Sequence, residues 1–117
     1  MQLDELKNLV IAAIEDMKGE NIVALDVTDK SNVTDMMIVA TGTSNRHVSS
    51  IANNVVVEAK KAGVSPMGVE GETQGDWVLV DLGDIVVHVM QPQVREFYDL
   101  ERLWSVTDSK KKERNAG

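Results

Sequence analysis

The chain has no cysteine, two prolines and only four aromatic residues among its 117 positions. Each shortage excludes something. Without thiols there is no disulfide framework, no thiolate zinc site and no cysteine nucleophile. No apolar run approaches the roughly 20 residues that a membrane-spanning helix requires. The opening MQLDELKNLV carries acids where a secretory signal would carry a basic region, so the expected location is the cytoplasm. The length suits one domain with a core of its own and is too short for two ordinary ones. Hydrophobic content of 43% and charged content of 26% fall in the range of soluble globular proteins. No internal repeat, low-complexity stretch or linker divides the chain.

Positive charge is scarce as well. The formal net charge is −7, although the last stretch, SVTDSKKKERNAG, is basic. Between Ala62 and Glu101 the acids Glu70, Glu72, Asp76, Asp81, Asp84, Glu96, Asp99 and Glu101 face one arginine, Arg95. Such a surface repels a phosphate backbone and attracts a basic one, so DNA is not an expected partner. For any single acid, a solvated position on a polar face is the plainer explanation.

Apolar spacing supplies the architecture. Leu3, Leu6, Val10, Ala13, Ile14 and Met17 recur as on one face of a helix, with Gly19 at a plausible C-cap position. Ile22 to Val27 and Met36 to Thr41 read as strands separated by a turn over Asp29 to Asn32. Thr43-Ser44 can cap a second helix whose buried stripe is Val48, Ile51, Ala52, Val55 and Ala59, ending near Lys60-Lys61 and Gly63. Val64 to Val69 is a strand candidate that Pro66 confines to an edge or a strand start. Asp76 to Asp81 alternates, Trp77 and Leu79 on one face and Val78 and Val80 on the other, and Ile85 to Met90 does the same. Leu82-Gly83-Asp84 joins them, with a glycine able to take positive φ, as an antiparallel hairpin. Gln91-Pro92 then opens a third helix, with Val94, Phe97, Leu100, Leu103 and Trp104 as the face expected to dock on the sheet. The order α-β-β-α-β-β-β-α predicts an α/β sandwich on a mixed sheet of about five strands flanked by helices. It occupies residues 1–104, and 105–117 form a basic tail without apolar periodicity, expected to be disordered.

Few of these residues suggest catalysis. Gly42-Thr43-Ser44, between a strand and a helix, resembles the phosphate-holding turn of nucleotidyltransferases. Those enzymes also need closely placed carboxylates for divalent metal. Asp76 and Asp81 are on opposite faces and Asp84 belongs to a turn, so that pair is missing, and Ser44 is more simply a helix cap. His47 and His88 lie on different elements, and no cysteine completes a metal site. No cofactor is expected. Ser44 and His47 lack the G-x-S-x-G turn of a hydrolase, and Gly68, Gly71 and Gly75 match no phosphate fingerprint. Trp77, on a strand with one face available, is either core filling or the anchor of a protein interface, and Tyr98 can join the same surface.

Several blocks together carry a family resemblance: ALDV at 24–27, TD at 34–35 with MIVATGTSNRHV, GVEG at 68–71, DWVLVDLGDIVVHVM at 76–90 and R-x-FY-x-LE-x-LW at 95–104. On them the chain resembles the bacterial ribosome silencing factors of the Iojap family, over nearly the whole of residues 1–104. The resemblance implies a nucleotidyltransferase-like fold without catalytic carboxylates, and a regulator rather than an enzyme. It also implies binding to the large ribosomal subunit through its ribosomal protein number fourteen, which blocks subunit joining and represses translation when nutrients are scarce, and a homodimer in isolation. The contact expected on this chain centres on Trp77, with Leu82, Asp84 and His88 from the hairpin and Glu70, Asp76, Tyr98 and Glu101 around it. Two alternatives are a nucleotide-binding or nucleotidyltransferase-like enzyme using the Gly42 turn and an acidic adaptor for a basic protein elsewhere.

Overall fold

The computed structural model describes residues 2–28 and 34–99. Helix α1 (Leu3–Asp16), strands β1 (Glu20–Asp26) and β2 (Met36–Thr41), helix α2 (Asn45–Lys61), strands β3 (Gly68–Glu70), β4 (Trp77–Asp81) and β5 (Ile85–Met90) and helix α3 (Pro92–Tyr98) follow one another in the expected order. The strands form one sheet, β1-β2-β5-β4-β3. Only the β2–β5 pairing is parallel. That pairing needs a crossover, and α2 with β3 and β4 supplies it.

Both long helices lie on one face. Leu6, Val10, Ala13 and Ile14 of α1 and Val48, Ile51, Ala52, Val55 and Ala59 of α2 are buried, and with Ile38, Ala40, Val78, Val80, Ile85, Val87 and Val89 they make the main core. Across the helix pair, Asn54 Nδ2–H donates to the Ala13 carbonyl at 2.8 Å. Ser44 caps α2, its Oγ accepting the His47 N–H at 3.1 Å, and Pro92 occupies the first turn of α3. Along β4 and β5 the alternation puts Trp77, Leu79 and Asp81 with Val86, His88 and Met90 on the opposite face, by the cross-strand pairs Trp77–Met90, Leu79–His88 and Asp81–Val86.

Three expectations are corrected. The left-handed residue after α1 is Lys18, at φ 61°. Gly19 is instead small because a Cβ there would come within 2.3 Å of Ile14 Cγ2. The third strand is reduced to Gly68–Glu70 at the sheet edge, clear of Pro66. In α3, Val94 packs against Val27, Met37, Val39 and Met90, while Phe97 is 80% exposed. The cause is angular: Val94 packs toward the sheet and Arg95 Nη1–H donates to Thr41 Oγ1 at 2.7 Å. At 3.6 residues per turn, position 97 then lies roughly 110° away from their midpoint. Leu100, Leu103, Trp104, the turn over 29–32 and the tail fall outside the described residues.

Candidate protein-docking surface

The predicted surface residues divide between the two ends of the β4–β5 hairpin. At one end stands Trp77, half-buried, opposite Met90. Its indole Nε1–H donates to His88 Nδ1 at 3.0 Å, the rings 5.8 Å apart and inclined by 46°. The two residues are diagonal neighbours on one face, a reach that aromatic side chains cover. His88 is 6% exposed. Burial lowers its pKa from 6.5 to about 4, since desolvation opposes the charged imidazolium. It is therefore neutral at ordinary pH, with Nδ1 free of a proton and able to accept.

The backbone at Trp77 is held as closely as its ring. Gly71 has φ +88°, and a Cβ there would come within 2.0 Å of the Trp77 carbonyl oxygen. Only glycine meets both requirements. Asp76, half-buried, accepts the Gln91 N–H on its carbonyl at 2.9 Å. Glu70 is exposed at the end of β3 and pairs with Leu79, on the Trp77 face. Tyr98 is the last residue of α3, and Glu101 lies outside the described residues.

Four strand rises of about 3.4 Å, or roughly 14 Å, separate Trp77 from the hairpin turn. There Gly83 takes φ +89°, and its N–H donates to Asp81 Oδ1 at 2.8 Å. Asp84 is exposed. Its carbonyl accepts the N–H groups of Asp35 and Met36 at 3.0 and 3.1 Å and the Thr34 hydroxyl at 2.9 Å, so its side chain is displayed from a fixed backbone. Leu82 is different. It is 6% exposed and belongs to the main core under the helices, so it anchors the turn from inside and presents no side chain to a partner.

Leu79 and Val86, both half-buried on the Trp77 face, and Asp81 beside them join this surface although they were not singled out from sequence. The signal was present in the alternation of β4, where Leu79 and Asp81 share the parity of Trp77.

The glycine turn after β2 is occupied from within. Gly42 N–H donates to the Met90 carbonyl at 3.0 Å and Thr43 N–H to His47 Nδ1 at 2.9 Å. Because Nδ1 accepts, the proton of His47 sits on Nε2, which donates to the Met17 carbonyl at 2.7 Å. His47 thus ties the turn to the end of α1. Gln91 Nε2–H also donates to Asn45 Oδ1, closing the gap between the starts of α2 and α3. Among the described residues, no three His, Asp or Glu gather where they could hold a metal ion.

The family model described as "Ribosomal silencing factor during starvation" matches residues 1–116. The chain belongs to this family. It is 52% identical over 104 residues to a ribosomal silencing factor of Chromobacterium violaceum, covering 89% of this chain and 85% of that one. A crystal structure of a Chromobacterium violaceum protein superposes with a TM-score of 0.88 at 51% identity, over 90% of this chain and 88% of that one. A mouse relative named "Mitochondrial assembly of ribosomal large subunit protein 1" is 30% identical over 102 residues, 85% of this chain and 45% of its own length.

Proposed function

We propose that this ribosome silencing factor is a non-enzymatic translational repressor of the cytoplasm that binds the large ribosomal subunit through its ribosomal protein number fourteen and prevents subunit joining. The observation that carries the proposal is the half-buried Trp77, hydrogen-bonded to His88 and backed by Gly71, with the exposed acids Glu70 on β3 and Asp84 in the hairpin turn. Interfaces of this kind place an aromatic anchor at the centre and charges at the rim. A ribosomal protein is basic and set among phosphates, so the acids steer this domain toward it and away from bare RNA. The name of the mouse relative refers to the same subunit.

Repression by this route requires no chemistry. A bound body that overlaps the approach of the small subunit makes the two binding events mutually exclusive, which is strongly negative coupling. The nucleotide alternative loses its motive, since the Gly42 and Thr43 donors are already taken within the chain. A subunit-joining assay with purified subunits is the direct test. The protein should lower the yield of joined ribosomes and sediment with the large subunit; joining at the uninhibited yield with saturating protein would refute the proposal. Sedimentation equilibrium of the free protein tests the homodimer that the family resemblance implies.

A further inference from the structure

His88 is too deeply buried, at 6% exposure, to be a substantial contact for another molecule. Yet it is the acceptor for the one polar group of Trp77, at 3.0 Å. It sits on β5 between β2 and β4, in register with Val39 on one side and Leu79 on the other. Trp77 is half-buried and packs against the cluster of Val27, Met37, Val39 and Met90. Its hydrogen bond to His88 adds a directional restraint on the orientation of the ring. Gly71 lies close behind the main chain of Trp77, where a side chain would clash with its carbonyl.

We propose that His88 is the positioning residue of the docking surface: it touches no partner, but fixes the Trp77 ring in the orientation that the partner meets. The inference rests on the docking proposal above and deepens it. It also constrains the chemistry of the partner. With its N–H already given to His88, the indole offers no hydrogen-bond donor. The group that meets it is therefore an apolar side chain or a cation stacked on the ring, as the lysines and arginines of a basic protein would supply, and not a carbonyl or carboxylate.

The test uses the full chain and purified large subunits. His88→Leu removes the acceptor, and His88→Asn restores a carbonyl oxygen near the place of Nδ1. Binding should weaken about tenfold in His88→Leu, the size of one lost hydrogen bond with its ordering effect, and return close to wild type in His88→Asn. The Trp77 indole N–H, assigned by its absence in Trp77→Phe, should be slow to exchange with solvent in the wild type and in His88→Asn, and fast in His88→Leu. Because His88 acts through Trp77, the double variant Trp77→Ala with His88→Leu should bind no more weakly than Trp77→Ala alone. Wild-type affinity in His88→Leu despite a fast indole proton would overturn the inference, as would additive losses in the double variant. Should His88→Leu fail to fold, Trp77→Phe decides, because it keeps a ring that cannot donate: full affinity would show that the hydrogen bond does not position the anchor. Absence of wild-type binding refutes the docking proposal instead, and the exchange measurement still decides whether His88 holds the ring.

Discussion

The two faces of one sheet, built from alternate residues of the same strands, have opposite characters. On the helix side Val78, Val80, Val87 and Val89 are fully buried under α1 and α2. On the other side their sequence neighbours Trp77, Leu79, Asp81 and His88 mix an indole, an aliphatic chain, a carboxylate and an imidazole. The first face holds the main core; the second carries a smaller buried cluster, Val27, Met37, Val39 and Met90, and beside it the mixed residues proposed for docking. Adjacent positions in β4 should therefore respond to mutation in different assays, one in stability and the other in binding.

The strongest way to separate the faces is to open the buried one. Ile51, fully buried between α2 and the sheet, should cost about 3–4 kcal/mol of stability when changed to Ala, through lost burial and the cavity left behind. Urea unfolding followed by circular dichroism measures this. The fraction that remains folded should bind large subunits with wild-type affinity, and a specific binding defect in it would mean that the faces are not independent.

The imidazole on the second face gives the next largest effect. His88 takes up a proton near 6.5 in the unfolded chain but only near 4 in the folded one, because burial opposes its charge. Between those values the unfolded state binds more protons, so stability is full above 6.5 and falls as the pH drops toward 4, by an amount on the order of 3 kcal/mol. Asp81 on β4 and Glu70 on β3 share the face, and Arg95 of α3 reaches toward it through Thr41. The comparison that isolates His88 is the pH dependence of unfolding in His88→Asn, which should be the flatter of the two between 6.5 and 4.5. Parallel curves would assign the dependence to the carboxylates.

Trp77→Ala moves the question to binding. Removing an interfacial anchor should weaken association with large subunits by about 2 kcal/mol, roughly thirtyfold. A folded variant with unchanged affinity would place the docking surface elsewhere.

Which parts of this were legible in the sequence follows from how far apart the interacting residues lie. The stripe of α2 from Val48 to Ala59, the Ser44 cap, the Gly83 turn and the opposition of Trp77 to Val78 are all set by neighbours within a few positions, and each is found as expected. Long-range partners were not legible. Nothing local says that His47 reaches back thirty residues to Met17, or that Arg95 reaches Thr41 and so turns Phe97 outward. The burial of Leu82 was not legible for a similar reason, because its place in a turn does not reveal the helix layer beneath it. Of the proposed docking surface, Trp77 was singled out in the sequence, but its hydrogen bond to His88 depends on a cross-strand diagonal that register alone reveals.

The smallest expected effect tests the rim against the centre. Asp84 is exposed on a backbone pinned by Asp35, Met36 and Thr34, and Glu70 is exposed at the sheet edge. Neither is positioned to be desolvated like Trp77, so reversing either charge to Lys should change affinity by less than about 1 kcal/mol. The change should fall on the association rate and on its dependence on salt, since screening at ordinary ionic strength acts over about 8 Å and leaves close contacts intact. Stopped-flow association with large subunits at several salt concentrations separates the possibilities. A slower rate that converges on wild type at high salt places these acids at the rim as steering charges. A faster dissociation with an unchanged association rate would instead make them part of the buried contact, and Trp77 would no longer stand alone at its centre.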